Sequence, residues 1–193
     1  MRLRILDSGH GFGTKALFAL IRTVSRQPVL DVVKLAKYRA DFYGGPMQGV
    51  THEAMRGPSA WSVGDRELMA AFVAKTNQCE FCTKAHAAVA QRAYRDGKTV
   101  SALLSDLDTA GIEEPLRATL LMLGKLIREH AVDADDMRAV LAAGASRRQI
   151  EDALAVSFSF NVIGRLADAF GFFVPGPKAF EAGAKYLLAR GYR

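Results

Sequence analysis

The chain has two cysteines, Cys79 and Cys82, and an imidazole follows them at His86. On a helix that turns by about 100° per residue, these three side chains fall within about 60° of one another and face one small volume. Two thiols at this spacing can close a disulfide, and a nearby imidazole can take a proton from one of them. The spacing therefore indicates a redox centre that cycles between a dithiol and a disulfide.

A carboxylate, Glu67, stands twelve residues before the first cysteine, which on one continuous helix would leave it about 18 Å away. Thr76 and Asn77 are weak helix formers at the midpoint between this carboxylate and the imidazole. An antiparallel helix pair that turns there would bring Glu67 abreast of His86. We expect Glu67 to orient His86, and His86 to accept a proton from Cys82. Cys79 would then act as the resolving thiol, which reacts with the product formed on Cys82.

Two other interpretations fit the same residues. A zinc ion would find three ligands in Cys79, Cys82 and His86, with Glu67 or a water molecule as the fourth. The thiols could also be inert buried side chains. We favour redox chemistry without a bound metal, because a lone Cys-x-x-Cys pair in a reducing compartment is more often catalytic than structural.

Composition places the chain among ordinary globular domains, with 193 residues, half of them hydrophobic and 24% charged. The net charge of +6 raises the question of an acidic partner. However, the basic residues are scattered, and the densest pair, Arg147 and Arg148, is followed within four residues by two acidic ones. We therefore expect a solvated basic surface and no binding of nucleic acid.

The sequence carries no recognisable targeting or cofactor signal. The apolar run at residues 16–21 is too short for the core of a signal peptide, and no small-residue cleavage site follows it. No stretch approaches the length of a transmembrane helix, so we expect a cytoplasmic protein without membrane association. No nicotinamide, flavin or haem motif is present, and no bound cofactor is expected.

Helical periodicity recurs from end to end and strand signals are nearly absent, which predicts an all-α fold of roughly eight to ten helices. We expect residues 1–193 to form a single domain. Its core would span about residues 40–175, with a helical extension at 1–40 and a last amphipathic helix at 176–193.

Local signals mark several helix starts. Ser62 and Asp65 have the spacing of a capping box and begin the helix that carries the carboxylate, and Ser146 with Gln149 forms another at the start of a long helix. The glycine-rich stretch at residues 9–13 follows no strand, so phosphate binding is not expected there. A mobile N-terminal arm is the simpler prediction for it.

These residues also resemble a known family. Glu67, eleven further residues and then Cys79-x-x-Cys82-x-x-x-His86 resemble the signature of the alkylhydroperoxidase D-like branch of the carboxymuconolactone decarboxylase superfamily. The helix start at residues 62–68 and the segment at 160–170 resemble its peroxidase-related members. The resemblance covers about residues 40–175.

The resemblance implies an all-α homo-oligomer that reduces organic hydroperoxides with its thiols. It assigns Cys82 as the peroxidatic thiol and Cys79 as the resolving thiol, with His86 and Glu67 as the proton relay. One position departs, since Phe81 stands where well-studied peroxidases of the family carry a further histidine. The decarboxylase branch lacks the cysteine pair, so decarboxylation is the less expected activity.

The function expected from the sequence is thiol-dependent reduction of alkyl hydroperoxides. Its partners would be the hydroperoxide, an external dithiol reductant and further copies of the chain. Phe81 and Phe72 would give the site an apolar surround that suits an alkyl substrate. The alternatives are a noncatalytic helical oligomer that senses redox state or binds metal, and the decarboxylase or lactone chemistry of the wider superfamily.

Overall fold

The computed structural model describes residues 2–108 and 110–192. Within these residues the fold consists of eleven α-helices and one π-helical turn, without a β-strand, so the predicted all-α class is confirmed. The elements are α1 (Ile5–Ser8), α2 (Phe12–Ser25), α3 (Asp31–Tyr38), the π-helical turn (Ala40–Gly44), α4 (Gly45–Arg56), α5 (Val63–Thr76), α6 (Glu80–Tyr94), α7 (Gly97–Ser105), α8 (Glu114–Glu129), α9 (Ala134–Ala142), α10 (Arg147–Phe170) and α11 (Pro177–Arg190).

Both predicted capping boxes form and fix where α5 and α10 begin. The hydroxyl of Ser62 accepts the backbone N–H of Asp65 at 3.0 Å, and the Asp65 carboxylate accepts the N–H of Ser62 at 2.8 Å. Ser146 and Gln149 repeat the arrangement, with 3.2 Å and 2.9 Å. Each box satisfies amide groups that a helix start leaves without a partner.

Helices α5 and α6 form an antiparallel hairpin that turns directly after Thr76, as the weak helix formers predicted. Gln78 adopts a left-handed conformation with φ of 61°, which reverses the chain within three residues. The side-chain amide of Asn77 donates to Asn161 on α10 at 2.8 Å and ties the turn to the long helix. The facing positions Ala70 and Ala74 are small and buried, which permits close approach of the two helices.

Two apolar clusters include residues of this hairpin. The larger joins α4, α5, α8 and α10 through fully buried side chains such as Met55, Leu68, Leu123 and Phe160. The smaller surrounds the cysteines and consists of Leu6, Leu35, Ala74, Cys79, Phe81, Cys82, Ala167, Phe172 and Phe180. We call it the cysteine cluster. It receives side chains from both ends of the chain.

The N-terminal segment packs onto this fold where a mobile arm was expected. Leu6 of α1 is fully buried in the cysteine cluster. His10 is also buried: its Nε2 lies 2.9 Å from the carbonyl of Leu6, and its ring meets Phe18 edge-on at 4.8 Å. The glycines of this stretch therefore lie between α1, which is anchored in the cysteine cluster through Leu6, and α2, of which only Phe18 is buried.

Helix α10 begins at the predicted cap and is as long as expected, but it departs from the expectation that no stretch approaches transmembrane length. It is the one helix of the described chain that could cross a membrane by length and composition, with 24 residues and a mean hydropathy of 1.3 over its best window. However, it packs against α4, α5, α6 and α8 and buries Phe160 among them. This is the arrangement of a core helix.

Candidate active site

The carboxylate of Glu67 is fully buried and faces α6. Its Oε2 lies 2.8 Å from Nδ1 of His86, and the imidazole is also buried. The two residues are nineteen positions apart in the chain, and the α5–α6 hairpin brings them together. The predicted juxtaposition of acid and imidazole is thus confirmed.

Two residues that the sequence reasoning missed complete the surroundings of this carboxylate. Nη2 of Arg56, the last residue of α4, donates to Glu67 Oε1 at 2.7 Å. The hydroxyl of Tyr192, next to the C-terminus, donates to the same oxygen at 2.8 Å and lies 3.3 Å from His86 Nδ1. Arg56 also donates to the carbonyl of Leu187 at 3.1 Å, which fixes α11 to the site. No local pattern marked either residue.

These contacts decide the charge state of the site. Burial alone would raise the pKa of Glu67, but the hydrogen bond and charge of His86, together with Arg56, hold that pKa below its ordinary value. Burial and the charge of Glu67 raise the pKa of Tyr192 well above its ordinary value, so the phenol remains a donor. With Glu67 ionised, the network assigns the ring proton of His86 to Nδ1 and leaves Nε2 as the acceptor.

The cysteines stand at the start of α6, where the backbone amides are free. Cys79 is the N-cap residue, one position outside the helix rather than inside its first turn, and Cys82 lies one turn further on. Both are free thiols with exposed fractions of 0% and 1%. Helix α10 approaches them closely at Gly164, where a Cβ would lie 3.6 Å from Cys79 Cβ and 3.9 Å from its Sγ.

The N-cap position favours negative charge on the first sulfur. The hydrogen bond from the Cys82 thiol is the main cause that lowers the pKa of Cys79, and the backbone N–H of Cys82 adds to it, against burial and the carboxylate of Asp168. The same thiol contact, with burial, raises the pKa of Cys82 well above its ordinary value. Of the two thiols, Cys79 is therefore the more readily ionised.

Aromatic side chains cover the cysteine pair. Phe81 meets Phe172 and Phe180 edge-on, with ring centroids 5.4 Å and 5.7 Å apart. Phe72, which we expected to share this role, instead packs in the larger cluster, where a Cβ on Gly124 of α8 would lie 3.4 Å from its ring. The apolar surround of the thiols thus comes from the two ends of the chain.

Within residues 2–108 and 110–192, no three His, Cys, Asp or Glu side chains are grouped so that they could hold a metal ion. The Nδ1 atom of His86 is bonded to Glu67, which leaves Nε2 as the ring nitrogen that can act on another group. The contact with Glu67 suits a proton relay.

Comparisons with known proteins identify the architecture. No protein-family model matches the chain, and no curated protein matches it significantly. Solved structures do match it. An uncharacterized peroxidase-related protein from Silicibacter sp. TM1040 superposes with a TM-score of 0.77 and 21% identity over 91% of each chain. An uncharacterized peroxidase-related protein from Ralstonia eutropha JMP134, described as an alkylhydroperoxidase AhpD core, superposes with a TM-score of 0.74 and 18% identity over 92% of each chain.

The chain has the AhpD-core fold. The resemblance read from the sequence is confirmed at this level, and it extends beyond the expected residues 40–175, because the superposed share of the chain is larger. At such identities the likeness establishes the fold and leaves the activity open.

Proposed function

We propose that this protein is a thiol-dependent reductase of hydroperoxides, with alkyl hydroperoxides as its substrates. The observation that carries the proposal is the buried hydrogen bond between Glu67 and His86 on the same hairpin as a reduced Cys79/Cys82 pair. The AhpD-core fold, shared with proteins described as peroxidase-related, supports the same chemistry.

The reaction consumes two thiols and one hydroperoxide and yields a disulfide, an alcohol and water. The sulfur of Cys82 attacks the terminal peroxide oxygen, the O–O bond breaks, and the leaving alkoxide takes a proton. Cys79 then attacks the sulfenic sulfur of Cys82 and expels hydroxide, which takes the second proton. The two thiol protons thus leave in the alcohol and the water.

The relay residues move the first of these protons. Because Glu67 holds the Nδ1 proton of His86, Nε2 is the ring nitrogen that accepts the proton of Cys82 during attack and returns it to the alkoxide. The resemblance gives the attack to Cys82, whereas Cys79 is the thiol with the lowered pKa. The two statements are compatible if the Cys82 proton leaves as the peroxide binds.

Substrate and reductant must reach sulfurs that are covered in the resting fold. Cys79 and Cys82 are buried in the cysteine cluster together with Phe172 and Phe180, so their reaction with substrate requires part of this cluster to move. An apolar cover favours an alkyl chain over water-like peroxides. An external dithiol then reduces the disulfide. Assembly into a homo-oligomer and a cytoplasmic location belong to the proposal as well.

Steady-state consumption of a panel of hydroperoxides with a panel of dithiol donors tests the proposal. We expect the wild-type protein to reduce many hydroperoxide molecules per Cys79/Cys82 pair, and we expect no turnover from Cys82→Ser. A redox-sensing module would form one disulfide and stop. Decarboxylase or lactone chemistry would survive replacement of both cysteines, so the double cysteine variant distinguishes that activity from a thiol peroxidase.

A further inference from the structure

The last described residues of the chain reach into the redox site. After α11 ends, Gly191 adopts φ of 69°, and a Cβ there would lie 2.7 Å from the ring of His52. The backbone N–H of Tyr192 donates to His52 Nδ1 at 3.2 Å. The turn therefore requires glycine and fixes the direction in which the tyrosine points.

The tyrosine ring contacts both His86 and Arg56, the two other residues that bind the buried acid. It stacks on His86 with 6.3 Å between centroids and 19° between planes. On Arg56 the guanidinium carbon lies 5.1 Å from the ring centroid. The hydroxyl reaches Glu67 Oε1, so one side chain from α11's end contacts every member of the acid–imidazole network.

We propose that Tyr192 is a positioning residue of the redox site, whose hydroxyl holds Glu67 in the orientation that keeps the His86 ring proton on Nδ1. The inference rests on the proposed function, because the relay serves the cysteines. It assigns a role to the C-terminal segment, whose contribution no sequence motif indicated.

The Tyr192 hydroxyl helps to determine which donors bind each oxygen of the Glu67 carboxylate. Oε1 accepts from Tyr192 and Arg56, which leaves Oε2 to His86 alone. Without the hydroxyl, Oε1 keeps only the donor Arg56, and the carboxylate is held less firmly against the ring. The Nδ1 proton of His86 is then bound less tightly and exchanges faster with water, and Nε2 is less consistently the accepting nitrogen.

Tyr192→Phe tests this with the ring retained, and Tyr186→Phe on α11 is the matched control. The first readout is the proton NMR signal of the hydrogen-bonded ring N–H, identified by its loss in Glu67→Gln. We expect its exchange with water to be about tenfold faster in Tyr192→Phe. The second readout is hydroperoxide turnover, where we expect kcat to fall about tenfold at unchanged KM.

Unchanged ring-proton exchange together with an unchanged kcat in Tyr192→Phe would overturn the inference. If this variant does not fold, Gly191→Ala displaces the hydroxyl without removing it and must show the same two changes. The NMR readout needs no peroxide, so the two proposals fail separately. Absent wild-type turnover with accelerated exchange refutes the peroxidase and retains the positioning role, and normal turnover with unaltered exchange does the reverse.

Discussion

Replacing Glu67 with glutamine changes one buried atom at the point where three hydrogen bonds converge. The amide oxygen can retain the donors Arg56 and Tyr192, which places the NH2 group against Nδ1 of His86. Nδ1 must then accept, so the ring proton moves to Nε2. The variant keeps the shape of the site but inverts the tautomer on which the relay depends.

The burial of Glu67 determines how much stability and activity the Glu67→Gln variant should lose. Glu67 is 0% exposed, and its loss leaves the Arg56 guanidinium, largely buried itself, without a counter-charge. Breaking such a pair costs about 3 kcal/mol, which for a domain of this length lowers Tm by about 6 to 12 °C. A wrong tautomer at a catalytic imidazole lowers kcat by about a thousandfold or more.

The difference in unfolding free energy between the wild-type protein and Glu67→Gln should also depend on pH. Because the pKa of Glu67 is held below its ordinary value of 4.5, the ionised carboxylate stabilises the fold at every pH above that value. This contribution disappears as the pH falls through the lowered pKa. The wild-type protein should therefore exceed Glu67→Gln in stability most at neutral pH, and the gap should narrow below about pH 4.5.

Urea unfolding at pH 7 and at a series of acidic pH values measures this gap, and hydroperoxide turnover measures the catalytic loss. Glu80→Gln is the control, because that carboxylate is exposed on the same hairpin and pairs only with Lys84 in an i,i+4 contact. It should change the unfolding free energy by less than about 0.5 kcal/mol. Equal stability losses in the two variants, or a gap that widens in acid, would refute the reasoning.

Three further outcomes are expected. Cys79→Ser should still form a sulfenic acid on Cys82, seen by trapping and mass spectrometry, but should not turn over; sulfenic acid in Cys82→Ser instead would move the attack to Cys79. Cys82→Ala should shift the onset of Cys79 alkylation to higher pH than Cys82→Ser, because serine keeps a donor to the thiolate; coincident profiles would contradict the pKa assignment. Ser62→Ala should cost about 1 kcal/mol in urea unfolding by removing the α5 cap, and no loss would contradict the capping argument.

Much of the α5–α6 hairpin could be predicted from local sequence. Capping residues mark where α5 begins, and Thr76 and Asn77 mark where it ends, because both effects act within one helical turn. Once the turn was placed, helical periodicity alone brought Glu67 opposite His86. This part of the site is encoded in neighbouring residues.

The remainder of the site depends on tertiary packing. Tyr192 lies 125 positions from Glu67 and reaches it only because α11 folds back over α6, which no periodicity reveals. Arg56 is the basic last residue of α4, a common feature of helix ends that carries no sign of a buried partner. The burial of His10 likewise depends on α1 finding the cysteine cluster.

At the cysteines, a shift of one residue in the start of α6 changes which thiol is the more acidic. With Cys79 inside the first turn, both thiols would experience similar amides, but at the N-cap the backbone N–H of Cys82 helps to lower the pKa of Cys79. Boundaries read from sequence are uncertain by more than this. The distribution of charge within the pair was therefore beyond sequence reasoning.

The most direct test of the central claim is a count of hydroperoxide molecules reduced per Cys79/Cys82 pair with a dithiol reductant in excess. The account predicts many turnovers for the wild-type protein and none for Cys82→Ser or for the double cysteine variant. A yield that stops at one hydroperoxide per pair, or turnover that persists without either sulfur, would contradict it.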